Sequence, residues 1–391
     1  MLKAGLKYWI LVLIVFSNYH CKKSYAPPET NANNLFLSVD GMINTGANGV
    51  SSFKLTRSQN LSDTVPEIPE PGATVAIQTT AGSSYPLIDT GSNGVYVSNA
   101  LTLDPTQQYI LKITTADGRH YVSDPVTPKA TPPIDSLSWT LGFDAVANTE
   151  AVNIYLNTHD PSNNTRFYRW DFIDTWEHQP QKRTFYMVKN KTIDYISDTT
   201  QHNWHCWSNG HSTDILLGTS SGLSEDVISQ APIARIYQND LRMDVKYSAL
   251  VRQYALDAPG YDYWKLLQQI SQSLGGLFDI QPAQLMGNIH NPDAPAEPVY
   301  GFVSASNVQE KRIFISNSDL PGWKSASTLV CSLVINRYDS NMSIFHFDLF
   351  DPKYSFFGFD ENLPPNQLII PTECIDCTFQ GGSTVKPSFW Q

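Results

Sequence analysis

Hydrophobic and polar positions alternate along much of the first third of the chain. Leu35, Leu37 and Val39 fall two apart, as do Ala73, Val75 and Ile77, and then Tyr109, Leu111 and Ile113. A period of two puts such side chains on one face of a strand. Turn clusters separate the runs: Asp40-Gly41, Gly91-Ser92-Asn93-Gly94 and Asp117-Gly118. Short strands at these intervals predict a small Ig-like β-sandwich over residues 34–127. Pro125-Val-Thr-Pro-Lys-Ala-Thr-Pro-Pro133 then reads as a stiff linker.

From about Ile134 the pattern is strand-like again. Val152, Ile154 and Leu156 share a face, Tyr168, Trp170, Phe172 and Trp176 share another, and Tyr247, Ala249 and Val251 alternate with Lys246, Ser248 and Arg252. One segment has a different period. Tyr263, Leu266, Leu267, Ile270 and Leu274 form a helical stripe over 261–274, and Gly275-Gly276 would end that helix. The predicted fold is therefore mainly β. An N-terminal Ig-like sandwich precedes a larger β-rich domain, residues 134–391, with one packed amphipathic helix.

The N-terminus follows a separate logic. Lys3 and Lys7 form a short basic region before an apolar run, Tyr8 to Phe16, too short to span a bilayer. Residues 1–20 read as an export signal, Cys21 as a lipidated cysteine, and the polar residues 21–33 as a tether. Tyr19 and His20 depart from the small residues usual before such a cysteine. The expected location is the cell envelope, with the acylated end in the lipid bilayer of the outer membrane and the leaflet left open.

Composition agrees with export. Charged residues are 16% and aromatics 12%. Net charge is −11, and loss of Lys3 and Lys7 with the signal makes it more negative. That excludes broad electrostatic binding of nucleic acid. Beyond Cys21 lie Cys206, Cys331, Cys374 and Cys377, an even number that favours disulfides in an exported chain. A Cys374–Cys377 bond would close a very small ring. One of these two is expected to bridge to Cys331 or Cys206.

Candidate chemistry is sparse. Gly218-Thr219-Ser220-Ser221-Gly222 matches the nucleophile-elbow pattern, but the following Leu223–Gln230 is at most two helical turns. It reads as a Ser/Gly loop at a strand end. Arg169, Asp171, Asp174 and Glu177 crowd one strand. Asp171 and Glu177 share a face about 20 Å apart, too far for a hydrolytic pair. Asp174 points to the opposite, aromatic face and is expected to be buried and hydrogen-bonded there. His202, His205, Cys206 and His211 lack the spacing of a structural zinc site. His346 and Asp348 form a two-apart pair on a strand. Loop residues follow Cys374-Ile-Asp-Cys377, which argues for structural cysteines rather than a redox dithiol. Trp176, Trp204, Trp207, Trp264, Trp323 and Trp390 are expected mostly in the core, with an exposed row as the sign of a ligand platform. No catalytic, metal or cofactor-binding residue is assigned.

Several segments together resemble a known family. They run from Pro69-Glu-Pro-Gly-Ala-Thr-Val-Ala-Ile77 through Asn93-Gly-Val-Tyr96 and Tyr168-Arg-Trp-Asp-Phe-Ile-Asp-Thr-Trp-Glu177. They continue in Tyr247-Ser-Ala-Leu-Val-Arg-Gln-Tyr254, Tyr261-Asp-Tyr-Trp264, Gly276-Leu-Phe-Asp-Ile-Gln-Pro282 and Lys386-Pro-Ser-Phe-Trp390. The chain is similar over Cys21–Gln391 to the Bacteroidota outer-membrane lipoprotein family of unknown function numbered 4249. The resemblance implies association with TonB-dependent transporters and structural roles for Trp170, Trp176 and the cysteines. It carries over no catalytic residue. The expected function is a non-enzymatic accessory or binding module for a transporter, a glycan or a peptide. The alternative is an exported hydrolase acting on a glycan or peptide polymer.

Overall fold

In the computed structural model the residues described are 35–59, 67–189, 192–196, 203–272, 285, 287–323, 330–336, 353–359 and 367–391. The export signal, Cys21 and the tether lie outside them, as do His202, Leu274, Gly275, Gly276, His346 and Asp348. The described elements from Phe36 onward fall in one unit, Phe36–Gln391. The protein is mainly β with one α-helix among the described residues.

The first sheet is built from β1 (Leu37–Asn44), β2 (Ser52–Arg57), β3 (Ile68–Pro69), β4 (Thr74–Thr79), β5 (Ser84–Asp89), β6 (Val95–Ser98), β7 (Tyr109–Thr114) and β8 (His120–Ser123). Most of its inward positions are those the alternation marks: Leu37, Val39, Val75, Ile77, Tyr109, Leu111 and Ile113 are buried, while Leu35 before β1 is exposed and Ala73 before β4 is half-buried. β5 pairs with β4 through Ser84–Pro86 and with β6 through Leu87–Asp89. One strand thus passes between two half-sheets, as at the corner of a sandwich. Both halves pack into a single core.

That core is completed from far along the chain. The later strands β18 (Ile289–His290) and β19 (Ala305–Ser306) close the two ends of this sheet, against β8 and β1. Val299, Val303 and Ala305 are buried in the same core. Glu297 accepts from the Tyr121 hydroxyl at 2.7 Å and from Asn291 at 2.6 Å, which ties the returning segment down.

Between these segments lie β9 (Ile134–Asp144), β10 (Thr149–Asp160), β11 (Phe167–His178), β12 (Tyr186–Lys189), β13 (Thr192–Tyr195), β14 (Cys206–His211), β15 (Leu216–Thr219), β16 (Asp226–Tyr237) and β17 (Lys246–Leu256). β20 (Gln309–Ser316) follows β19. One sheet has the order β16-β10-β9, and the other β14-β11-β17-β20 with β15 also on β11. They share a core of Val152, Ile154 and Leu156 with Tyr168, Trp170, Tyr247, Ala249 and Val251. The Tyr168 and Trp170 rings stack with centroids 5.9 Å apart. β12 and β13 form a hairpin. β21 (Val334–Asn336), β22 (Tyr354–Phe359) and β23 (Gln367–Pro371) form a small third sheet.

The helix runs Ala258–Gln272 and begins three residues before the predicted stripe. Asp257 caps it, its carboxylate accepting from the Gly260 amide at 2.9 Å. All four downstream cysteines are paired, Cys206 with Cys377 and Cys331 with Cys374. No described helix is long and apolar enough to cross a membrane.

Candidate functional site

β11 organises the candidate site because its two neighbours on one edge do not meet. β15 pairs with Phe167–Trp170 and β14 with Ile173–His178. The chain between them, 212–215, leaves the sheet. Ser212 holds the gap by donating its amide to the Phe172 carbonyl at 2.9 Å and accepting the Phe172 amide on its hydroxyl at 3.1 Å. The excursion carries Asp214 outward, and Gln268 of the helix donates to the Ile215 carbonyl at 2.6 Å.

A cleft of about 480 Å³ opens beside this excursion. Its lining includes Asp40, Arg169, Asp214, Tyr263, Trp264 and Phe302. One wall is residues 300–302, pressed on β1: Val39 donates to the Tyr300 carbonyl at 2.8 Å and Tyr300 to the Leu37 carbonyl at 2.9 Å. Gly301 has φ of +133°, and a Cβ there would sit 2.2 Å from the Val39 carbonyl oxygen. Only glycine permits that approach.

Arg169 lies in this cleft between two rings. Its guanidinium carbon is 4.2 Å from the Trp264 ring centroid and 4.9 Å from that of Tyr254. β-pairing sets Arg169 opposite Tyr254 and Asp171 opposite Arg252. Asp171 accepts from Arg252 at 2.6 Å and from the Tyr254 hydroxyl at 2.9 Å. Burial, reinforced by the Asp171 charge, holds the Tyr254 hydroxyl protonated far above its ordinary range. Burial also pushes the Tyr263 hydroxyl up to about 12. Arg169 itself approaches Asp171 only to 3.9 Å, outside hydrogen-bond range. The Trp264 and Tyr254 rings thus make cation–π contacts with the guanidinium. Among the described residues its N–H groups have no hydrogen-bond acceptor.

Two other hollows differ. One of about 560 Å³ lies across the 212–214 segment and is lined by Tyr155, Phe172, His211, Arg235 and Arg242. There Arg235 is bonded to Asn153 and Asp144 at 2.7 and 2.6 Å, and Arg242 to Asp240 and Asp174. The other, about 910 Å³, is lined by residues 44–50, Lys129 and Glu310 among others, with no aromatic ring.

The remaining candidates have structural partners. Ser220 is fully buried, and its hydroxyl donates to Asp226, which also accepts the Tyr168 hydroxyl at 2.5 Å. Gly218 is glycine because a Cβ would lie 2.3 Å from the Trp170 ring. The elbow-like pattern is thus explained by packing. Asp174 is buried and accepts from Tyr247 and Arg242, each at 3.3 Å. Glu177 accepts from the Trp390 indole at 3.0 Å and lies 2.6 Å from His205. Cys206 is oxidised, and no group of three metal-ligating side chains assembles among the described residues. Sequence reading missed the Arg169–Trp264 pair. Its one legible signal was an arginine on a strand's outward face, and the ring that covers it comes from the helix.

The fold and cleft define a disulfide-bonded, multi-sheet β protein with a polar-aromatic pocket beside its helix. Residues 22–312 match a family described as a domain of unknown function, DUF4249, and the chain belongs to that family. None of the curated proteins matches it. Among solved structures, the B domain of a biofilm-associated protein aligns at 7% identity over 73% of this chain and 87% of that chain. Its TM-score is 0.13, a likeness too slight to bear on fold or function.

Proposed function

We propose that the chain is an exported, non-enzymatic binding module of the cell envelope, anchored through Cys21 and working beside an outer-membrane TonB-dependent transporter. The observation that carries binding is Arg169, a charged fork set over two aromatic rings with its donors unused inside a cleft of ligand size. Two disulfides favour an oxidising compartment. The basic, then apolar, residues 1–20 support export, and the family resemblance supports the transporter partner.

The hydrolase alternative has less support. Ser220 is committed to Asp226, and Asp171 to Arg252 and Tyr254. Two experiments test the leading reading. Intrinsic tryptophan fluorescence, titrated with panels of saccharides, sugar acids and short peptides, should change on binding in the wild type and not in Trp264→Ala. No response to any class would refute the cleft as a binding site. Mild-detergent pull-down from outer membranes should recover a TonB-dependent transporter, and recovery of the protein alone counts against that partner.

A further inference from the structure

We propose that the cleft binds a short peptide with free ends, its C-terminal carboxylate held by Arg169 and its ammonium by Asp40 or Asp214. This rests on the cleft being a binding site and adds the class of ligand.

The argument begins with the fork. The Arg169 guanidinium sits over the Trp264 and Tyr254 rings and donates no hydrogen bond to any described residue. Its parallel N–H groups match the two oxygens of a carboxylate, a charge-assisted and bidentate geometry. Stacking on Trp264 and Tyr254 prepositions the fork, so little side-chain freedom is lost on binding. Asp171 pairs with it at long range but accepts no hydrogen bond from it. That carboxylate lies 3.9 Å from Arg169 and is occupied by Arg252 at 2.6 Å and the Tyr254 hydroxyl at 2.9 Å.

A ligand with only a negative charge does not suit the remaining lining. Asp40 on β1 and Asp214 on the excursion are exposed carboxylates in the same cleft, and neither has a hydrogen bond or ion pair to a described residue. An anion would meet them unfavourably. A ligand carrying a cation as well satisfies both signs. The rings argue against a stacked sugar. Trp264 is covered by Arg169 and edged by Tyr263 at 5.8 Å, Phe302 lies 5.6 Å from Tyr263, and Tyr300 packs edge-on to Phe36 at 6.3 Å. These rings are engaged with one another or with the fork. They leave an apolar lining, with Ile215 and Leu267, for the body of a peptide.

The test titrates the full chain by calorimetry with Ala-Phe-Ala, its C-terminal amide, its N-acetyl form, free phenylalanine, galacturonate and maltotriose. The tripeptide should bind, and amidation should weaken it about tenfold or more, the scale of a lost charged hydrogen bond. Acetylation should weaken it by a smaller factor. Arg169→Gln should abolish the preference for acid over amide, and Arg169→Lys, which keeps the charge without the fork, should restore part of it. Asp40→Asn combined with Asp214→Asn should abolish the preference for the free amine. The acid–amide comparison needs no variant, so a misfolded substitution cannot decide the outcome. Equal affinity for acid and amide overturns the assignment of Arg169. Phenylalanine binding as tightly as the tripeptide overturns the peptide assignment. Binding of galacturonate or maltotriose without the tripeptide overturns the inference but leaves the cleft a binding site. Binding of none of the six overturns the inference, and the wider panel then decides whether the binding reading survives.

Discussion

β11 carries two arginine–aspartate clusters, one on each face, and they differ in how the arginine is satisfied. On the inner face Asp174 is buried and bonded by the Tyr247 hydroxyl, and Arg242 reaches it while also bonding Asp240. Burial alone would lower the Arg242 pKa, but Asp240, Tyr247 and Asp174 raise it above its ordinary value. On the outer face Arg169 is held by rings rather than by acceptors. A buried acid left unbonded costs too much to persist, so the inner cluster is closed. Exposure does not separate the two arginines, since Arg169 is 20% exposed and Arg242 30%; the donors of Arg169 stay unbonded because Asp171, 3.9 Å away, is taken up by Arg252 and Tyr254. The same strand thus separates architecture from recognition by the alternation of its side chains.

The largest expected break in this comparison is Asp174→Ala. It removes a buried acid that binds both Arg242 and the buried Tyr247 hydroxyl, and should cost about 3–5 kcal/mol of unfolding free energy. Urea denaturation measures it, and a loss below about 1 kcal/mol would place Asp174 with the loosely held outer groups. Next is Cys206→Ser, which opens the bond to Cys377 across 171 residues of sequence. Its expected cost is about 2–4 kcal/mol, read as a fall in melting temperature under non-reducing conditions.

Arg169→Gln should be much milder in the absence of ligand. The cation–π contacts of an arginine 20% exposed contribute about 1–2 kcal/mol, so the unfolding midpoint should shift less than in Asp174→Ala. A loss as large as that of Asp174→Ala would make Arg169 architectural and remove the contrast.

The smallest effect concerns pH. Burial lowers the pKa of His178 below its ordinary 6.5, so the folded protein disfavours the charged ring. The stability associated with the neutral ring is complete above the unfolded value and is lost as pH falls below about 6.5. His178→Asn should flatten that part of the stability–pH curve relative to wild type. An unchanged slope between pH 6.5 and 5 would remove His178 as a contributor.

Much of the β architecture was legible because its signal is local. Leu37, Val39, Tyr109 and Leu111 are buried at the positions a period of two assigns. The helical stripe through Tyr263 and Ile270 lies within a real helix, although the capping Asp257 sets its start earlier. Asp174 was readable as an acid on an aromatic face. Cysteine parity indicated two bonds, but the choice among pairings depends on which chain ends meet in space.

The sequence by itself determined that this is a mainly β protein with an amphipathic helix and paired cysteines. Periodicity and residue chemistry act over a few neighbours, so they survive reading in one dimension. Only the tertiary structure decided that Ile289–Ser306 returns to close the first sheet. It alone set Arg169 opposite Tyr254 and brought Trp264 across from the helix to cover it. Those relations depend on strand register and on packing between distant segments, where no local pattern specifies the partner.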